Sequence, residues 1–290
     1  MIDRTPSSDP YAKDTTTTPP YAQAFAQALG WNRTSYLMLS GFVLLLGLMG
    51  YVWWPLAEEY LGYINWQGAW WRQIDWLLIG IFLFMSLMLM SGADLRQDLP
   101  IILVGIGGGL VIESWGTQTE IWTYYTNERP PLWIIPAWPI AALTIDRMVR
   151  FLRRRVPVGR ATGYRLAYWL VFPLFFILML QFTWTTLDKS FTLLALLLCA
   201  LFIVTPTDHR LALLTFAAGT GLGYFLEWWG TTRLCWTYYT GETPPLFAVL
   251  AHGMAAVAFW WAVLMSERVS SWLWLVLGST QRQAPPAPEN

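Results

Sequence analysis

The sequence predicts an all-α fold: a polytopic transmembrane helical bundle of about eight spans, built as a parallel 4+4 tandem repeat. Three observations carry that expectation. Apolar types make up 56% of the 290 residues and charged residues only 12%, half the charge of an ordinary soluble domain, which carries about 25%. Eight stretches are apolar, each close to the roughly 20 residues that a helix needs to cross a bilayer. Finally, the chain meets itself without gaps when it is slid by 114 residues.

The same composition excludes several classes. The 18 Lys and Arg are balanced by 18 Asp and Glu, so there is no basic excess to hold nucleic acid. The 20 Trp and the apolar content exclude a disordered chain. The only histidines are His209 and His252, and the only cysteines Cys199 and Cys235. No Cys/His group has metal-ligand spacing and no disulfide framework is evident, so no cofactor is expected.

Along the chain, residues 1–34 are polar and rich in Thr and Pro. They lack the short apolar core and cleavage site of a removable signal peptide and read as a disordered cytoplasmic tail. The first four-helix repeat is expected over 35–152, with spans at 36–54, 75–92, 99–115 and 132–151. An Arg-rich cytoplasmic linker follows at 153–162. The second four-helix repeat covers 163–267, with spans at 163–186, 189–206, 210–228 and 245–266. Residues 268–290 read as an interfacial helix and tail, because 269–279 (VSSWLWLVLGS) is apolar but too short to span. Eight spans put both termini on one side, and positive charge chooses that side. Fourteen Lys and Arg fall with the run from Arg147 to Arg165, against four (Arg72, Arg129, Lys189, Arg233) on the other face. The expectation is a multi-pass protein of the cell (inner or plasma) membrane with both termini cytoplasmic.

The repeat is uneven. Residues 113–132 (ESWGTQTEIWTYYTNERPPL) and 227–246 (EWWGTTRLCWTYYTGETPPL) agree at thirteen of twenty positions. Spans 75–92 and 189–206 agree only at Leu83/Leu197 and Leu87/Leu201. Uniform drift after a duplication does not give that contrast, so folding or chemistry held the motif. Gly105, Gly109 and Glu113 are four apart, as are Gly219, Gly223 and Glu227, and residues four apart form one narrow stripe on a helix. Small residues at that spacing let membrane helices approach closely. The pseudo-symmetry therefore predicts that the third and seventh spans meet by their glycines, with Glu113 and Glu227 facing each other near the outer surface. Paired in a dry site they would share a proton and serve as acid and base. The alternative is that each Glu is a local tie for Trp, Tyr or backbone donors of its own loop.

The loops that follow run Trp-Gly-Thr, then Trp-Thr-Tyr-Tyr-Thr, then Glu and Pro-Pro-Leu. Gly116 and Gly230 are expected to break the helix. Trp115, Trp122, Tyr124 and Tyr125, with Trp229, Trp236, Tyr238 and Tyr239, fit either an interfacial aromatic belt or the walls of a pocket over the two Glu residues. Two departures from symmetry are candidate contacts to one end of a substrate: His252 where the first copy has Trp138, and Arg233 where it has Thr119. Asp94 and Asp208 read as helix N-caps.

The segment 107–143 (GGGLVIESWGTQTEIWTYYTNERPPLWIIPAWPIAAL) resembles the integral-membrane carotenoid biosynthesis proteins of the carotenoid hydratase type. The matching residues are Gly107 to Gly109, Glu113, Gly116, Trp122, Tyr124, and Pro131 with Pro136. Thr123 stands where that family has Gly before the first loop Tyr. The Trp/Tyr/Pro layout also looks loosely like small membrane lycopene cyclase domains. The resemblance implies a hydratase-like or cyclase-like lyase or isomerase that protonates an isoprenoid double bond and passes the cation to water or to ring closure.

Three functions are compatible with these residues. One is an isoprenoid- or carotenoid-modifying enzyme with Glu113 and Glu227 as acid and base. Another is a non-catalytic membrane scaffold or pigment/lipid-binding subunit with a membrane-protein partner. The third is a proton- or cation-coupled transporter, against which stands the lack of any Asp, Glu, Lys, Arg or His in 101–112 and 211–226. The expected ligand is a membrane lipid or isoprenoid.

Overall fold

The computed structural model describes residues 20–206 and 208–281. In chain order its elements are α1 (Pro20–Ala28), α2 (Arg33–Val52), α3 (Trp54–Gly62), α4 (Trp76–Met90), α5 (Leu95–Gln118), β1 (Trp122–Tyr124), α6 (Ala137–Arg155), α7 (Ala161–Phe182), α8 (Ser190–Val204), α9 (His209–Thr232), β2 (Trp236–Tyr238) and α10 (Leu246–Gln281). The fold is all-α apart from these two three-residue strands. Each of the eight apolar stretches is helical. Five helices are long and apolar enough to cross a membrane: α2, α5, α7, α9 and α10 as far as Val269. Helices α4 and α8 are apolar but only 15 residues long.

Polar side chains start the helices by taking up amides that have no partner in the first turn. Asn32 Oδ1 accepts from the Thr34 and Ser35 amides at 2.8 and 3.2 Å, and Ser35 Oγ accepts from the Asn32 amide in return. Asp75 caps α4. Asp94 and Asp208 cap α5 and α9 as their positions implied, accepting from the Arg96 and Leu211 amides at 2.9 Å each.

Two expectations at the chain ends change. Pro20–Ala28 is helical where loose chain was expected, while residues 1–19 lie outside the described residues. Segment 269–279 is not a separate helix: α10 runs unbroken from Leu246 to Gln281, because nothing between Met265 and Val276 is a Pro or Gly that would stop it. Residues 282–290 are not described.

Four helices form a closed ring, with α5 against α6, α6 against α9, α9 against α10 and α10 back against α5. Helix α4 lies on α6 and α9, and α8 lies on α10 and α5. Exchanging α5 with α9, α6 with α10 and α4 with α8 maps these contacts onto themselves, so the two motif copies hold equivalent places.

The glycine stripes do not meet each other, contrary to the sequence expectation. Each packs on the helix that follows it. A Cβ at Gly105 would lie 2.7 Å from Pro139 Cα, and one at Gly109 2.4 Å from Trp138 Cγ. On the other side, Gly219 faces the His252 carbonyl at 2.7 Å and Gly223 faces His252 Cβ at 2.4 Å. The small residues serve the α5–α6 and α9–α10 hairpins, where a short connection already brings the two helices together.

At the opposite end of α5, Asp98 is 0% exposed and Arg147 5%. Arg147 Nη2 lies 2.7 Å from both Asp98 oxygens, and its Nε donates to the Ser91 carbonyl at 2.9 Å. This buried pair joins α5, α6 and the end of α4. Arg147, counted in the sequence as part of a topology signal, is therefore a packing residue.

Adding a methyl group separates the two kinds of glycine. Gly109→Ala should destabilise the protein by about 1–3 kcal/mol through overpacking against Trp138. Gly107→Ala, whose Cβ meets nothing within 4 Å, should be neutral or stabilising. Thermal melting in detergent distinguishes them.

Candidate functional site

Glu113 and Glu227 sit in the last third of α5 and α9, 2% and 4% exposed. A carboxylate at such depth has to be hydrogen-bonded throughout. Glu113 Oε2 accepts from Trp122 Nε1 at 3.2 Å, and Oε1 accepts from Tyr124 Oη at 2.9 Å and Trp138 Nε1 at 3.1 Å. Glu227 repeats the arrangement: Oε2 takes Trp236 Nε1 at 2.9 Å, and Oε1 takes Tyr238 Oη at 2.9 Å and His252 Nε2 at 3.0 Å. Burial, with the carboxyl alongside, holds the Tyr124 and Tyr238 phenols well above the usual tyrosine range, so both remain donors. A Trp and a Tyr of its own loop thus tie each Glu, and a ring of the following helix adds a third contact.

The rest of the motif builds those ties. Gly116 and Gly230 do not break their helices, which continue to Gln118 and Thr232. They make room for an indole: a Cβ at either would lie 1.9 Å from the Cη2 of Trp122 or Trp236. The chain turns back with left-handed residues at Glu120 (φ 61°) and Leu234 (φ 56°), the same position in both copies. β1 and β2 then pair antiparallel, Trp122 with Tyr238, Thr123 with Thr237 and Tyr124 with Trp236. A two-fold axis passes between Thr123 and Thr237, whose hydroxyls are 3.2 Å apart. The second Tyr of each copy ties its loop to an earlier helix end: Tyr125 Oη donates to the Val52 carbonyl and Tyr239 Oη to that of Phe182. Trp115, Trp122, Tyr124, Trp229 and Tyr238 are buried, so these residues are the inside of a cap on the helix bundle and not an aromatic belt facing lipid.

Between the two carboxyls stand the rings in which the copies differ. Trp138 and His252 stack with centroids 5.9 Å apart and planes 18° from parallel. No hydrogen bond joins Glu113 to Glu227 among the described residues; each is linked instead to its own ring of this stack. The expected shared proton therefore lacks its direct contact. Trp138 was legible only as the 114-residue mate of His252, and its bond to Glu113 was not anticipated. Arg233, expected to touch substrate, pairs with Asp75 at 2.9 Å, and the same Asp75 oxygen accepts from Trp229 Nε1 at 2.9 Å. The mate of Trp229, Trp115, donates to Thr192 Oγ1 at 3.2 Å.

Below this cap lies a cavity of about 960 Å³, at the upper end of ligand pockets, about 300–1,000 Å³. Its walls are mostly apolar side chains of α2 to α10, including Phe42, Met85, Phe175 and Phe259, with Glu59 and the paired Asp75 and Arg233 among the polar ones. Small residues also line it, Gly107 of α5 and Ala251, Ala255, Ala258 and Ala262 of α10, while Gly108 makes room for the Phe259 ring. Glu113, Glu227, Trp138 and His252 also line it. The arrangement can hold a long apolar molecule against a hydrogen-bonded polar cluster. No family model, curated protein or solved structure matches the chain.

Two outcomes follow from this geometry. Glu113→Gln and Glu227→Gln each turn an amide donor toward ring donors, so each should lower stability by about 1–3 kcal/mol and alter the near-ultraviolet circular dichroism of the Trp/Tyr cap. Cys235, 2% exposed, has its thiol pushed up to about 12 by burial. At pH 8 it should resist maleimide in the folded protein and react promptly once denatured.

Proposed function

We propose that this chain is an eight-span membrane protein of the 4+4 design, both termini cytoplasmic, that acts as an enzyme on a long isoprenoid-type molecule held in its central cavity. Helicity in all eight apolar stretches supports the span count. The two-fold relation shared by the helix ring and the strand pair supports the repeat, and the Lys and Arg distribution supports the orientation. The observation that carries the function is the cavity itself: about 960 Å³ of largely apolar space whose walls include the buried Glu113 and Glu227 together with His252.

The chemistry that fits is proton transfer to a carbon–carbon double bond. Glu113 or Glu227 in its protonated form supplies the proton, the π pair forms the new C–H bond, and the neighbouring carbon becomes a cation. Ring faces steady that cation. Loss of a proton gives a shifted double bond or a ring, and capture by water gives an alcohol. The tight cap over the cluster keeps bulk water from a reactive intermediate. A second reading, a non-catalytic lipid- or pigment-binding scaffold, is favoured by one observation: the oxygens of both carboxyls are already taken by ring donors.

Mass spectrometry of apolar extracts from expressing cells tests the proposal. Wild type should yield a species shifted by one water or by isomerisation. Gly107→Phe, which fills the cavity from a position with free space around it, should lower that yield at least tenfold while the protein still inserts. An apolar molecule that co-purifies unchanged selects the scaffold.

A further inference from the structure

In the shells of the two carboxyls the halves of the cap are alike except at one ring, and that ring has an atom to spare. Trp138 has a single polar atom, and it is spent on Glu113. His252 has two. Its Nε2 meets Glu227 Oε1, an oxygen that already accepts from Tyr238, so Nε2 is the donor and carries the hydrogen. With its one hydrogen on Nε2, the ring presents a lone pair at Nδ1. Nδ1 has no hydrogen-bond partner among the described residues, and His252, with 19% of its side chain exposed, lines the cavity. An acceptor in an apolar wall is costly unless something donates to it. The stacked Trp138 face and Gly223 beneath His252 fix the ring, so the lone pair cannot turn away.

We propose that the cavity selects an apolar chain ending in a hydroxyl, whose O–H donates to Nδ1 of His252. This rests on the cavity being a ligand site, and it adds the class of polar end and the single residue that reads it. A hydrocarbon leaves Nδ1 unpaired, and an ether fills the space but has no hydrogen to give. Only the half that carries His252 makes this discrimination, because its mate position offers an indole N–H that is already engaged.

The test uses the purified full chain in lipid nanodiscs, with geranylgeraniol and its methyl ether as competitors of radiolabelled geranylgeraniol. One hydrogen bond, about 0.5–1.5 kcal/mol net, corresponds to a preference of roughly three- to tenfold for the alcohol. His252→Trp gives α10 the ring that α6 carries, retains a donor for Glu227, and should bind alcohol and ether alike at the affinity of the ether. Equal binding of the two by wild type overturns the proposal, as does a preference that survives in His252→Trp. Should His252→Trp fail to fold, the wild-type comparison alone decides. If neither compound binds and Gly107→Phe behaves as wild type, the cavity reading is what has failed, and the result is distinct from loss of the preference.

Discussion

A carboxylate held within an apolar helix bundle has to find all its hydrogen bonds within the protein, and most of the cap follows from that requirement. An acidic side chain costs about 2.5–3.5 kcal/mol at the centre of a span, an upper bound for Glu113 and Glu227 near the ends of α5 and α9. A hydrogen bond to a charged group contributes about 1.5–3 kcal/mol, so three ring partners for each Glu offset that cost. Supplying them dictates the sequence. The indole of Trp122 or Trp236 reaches its Glu only across a helix with no side chain at Gly116 or Gly230. The Tyr two residues later reaches the same carboxyl because alternate residues of a strand lie on one face. The following Tyr, on the opposite face, is left to fasten the loop to α2 or α7. The order of parts in the motif follows from one buried carboxyl.

The other end of α5 meets the same requirement differently. Asp98 and Arg147 satisfy one another with two short contacts. Removing either partner of a buried pair typically costs about 3–5 kcal/mol, whereas the carboxyls of the cap rely on ring partners. Such a shell leaves a carboxyl facing a ligand without an Arg or Lys counter-charge. Of the two arrangements, only the one in the cap lines the cavity.

The fold was largely legible in the sequence because hydropathy is a local property. Eight of the ten described helices lie where apolar stretches were read, all but α1 and α3, and Asp94 and Asp208 cap the helices they precede. The membership of the site was legible as well, since a gapless repeat singled out Glu113, Glu227 and the aromatic residues after them. Its arrangement was not. A glycine stripe gives the face of a helix that is packed but not the helix packed against it, and here the partner is the next one in the chain. Gly116 and Gly230 look like helix breakers because the indole that needs their space arrives from six residues further on. Asp98 and Arg147 were hidden because they are 49 residues apart and Arg147 merges into an Arg-rich run.

The strand pairing has a further implication. An antiparallel pair centred on Thr123 and Thr237 is what a loop forms with a second copy of itself in an isologous dimer. In a dimer of identical subunits every change beside the axis is made twice, so two indoles or two imidazoles must face each other there. A single chain carrying both halves is released from that rule. Trp138 and His252 occupy equivalent positions on α6 and α10 and stack on each other, one ring able only to donate, the other able to accept as well. Joining the copies covalently is what allows this molecule a left and a right.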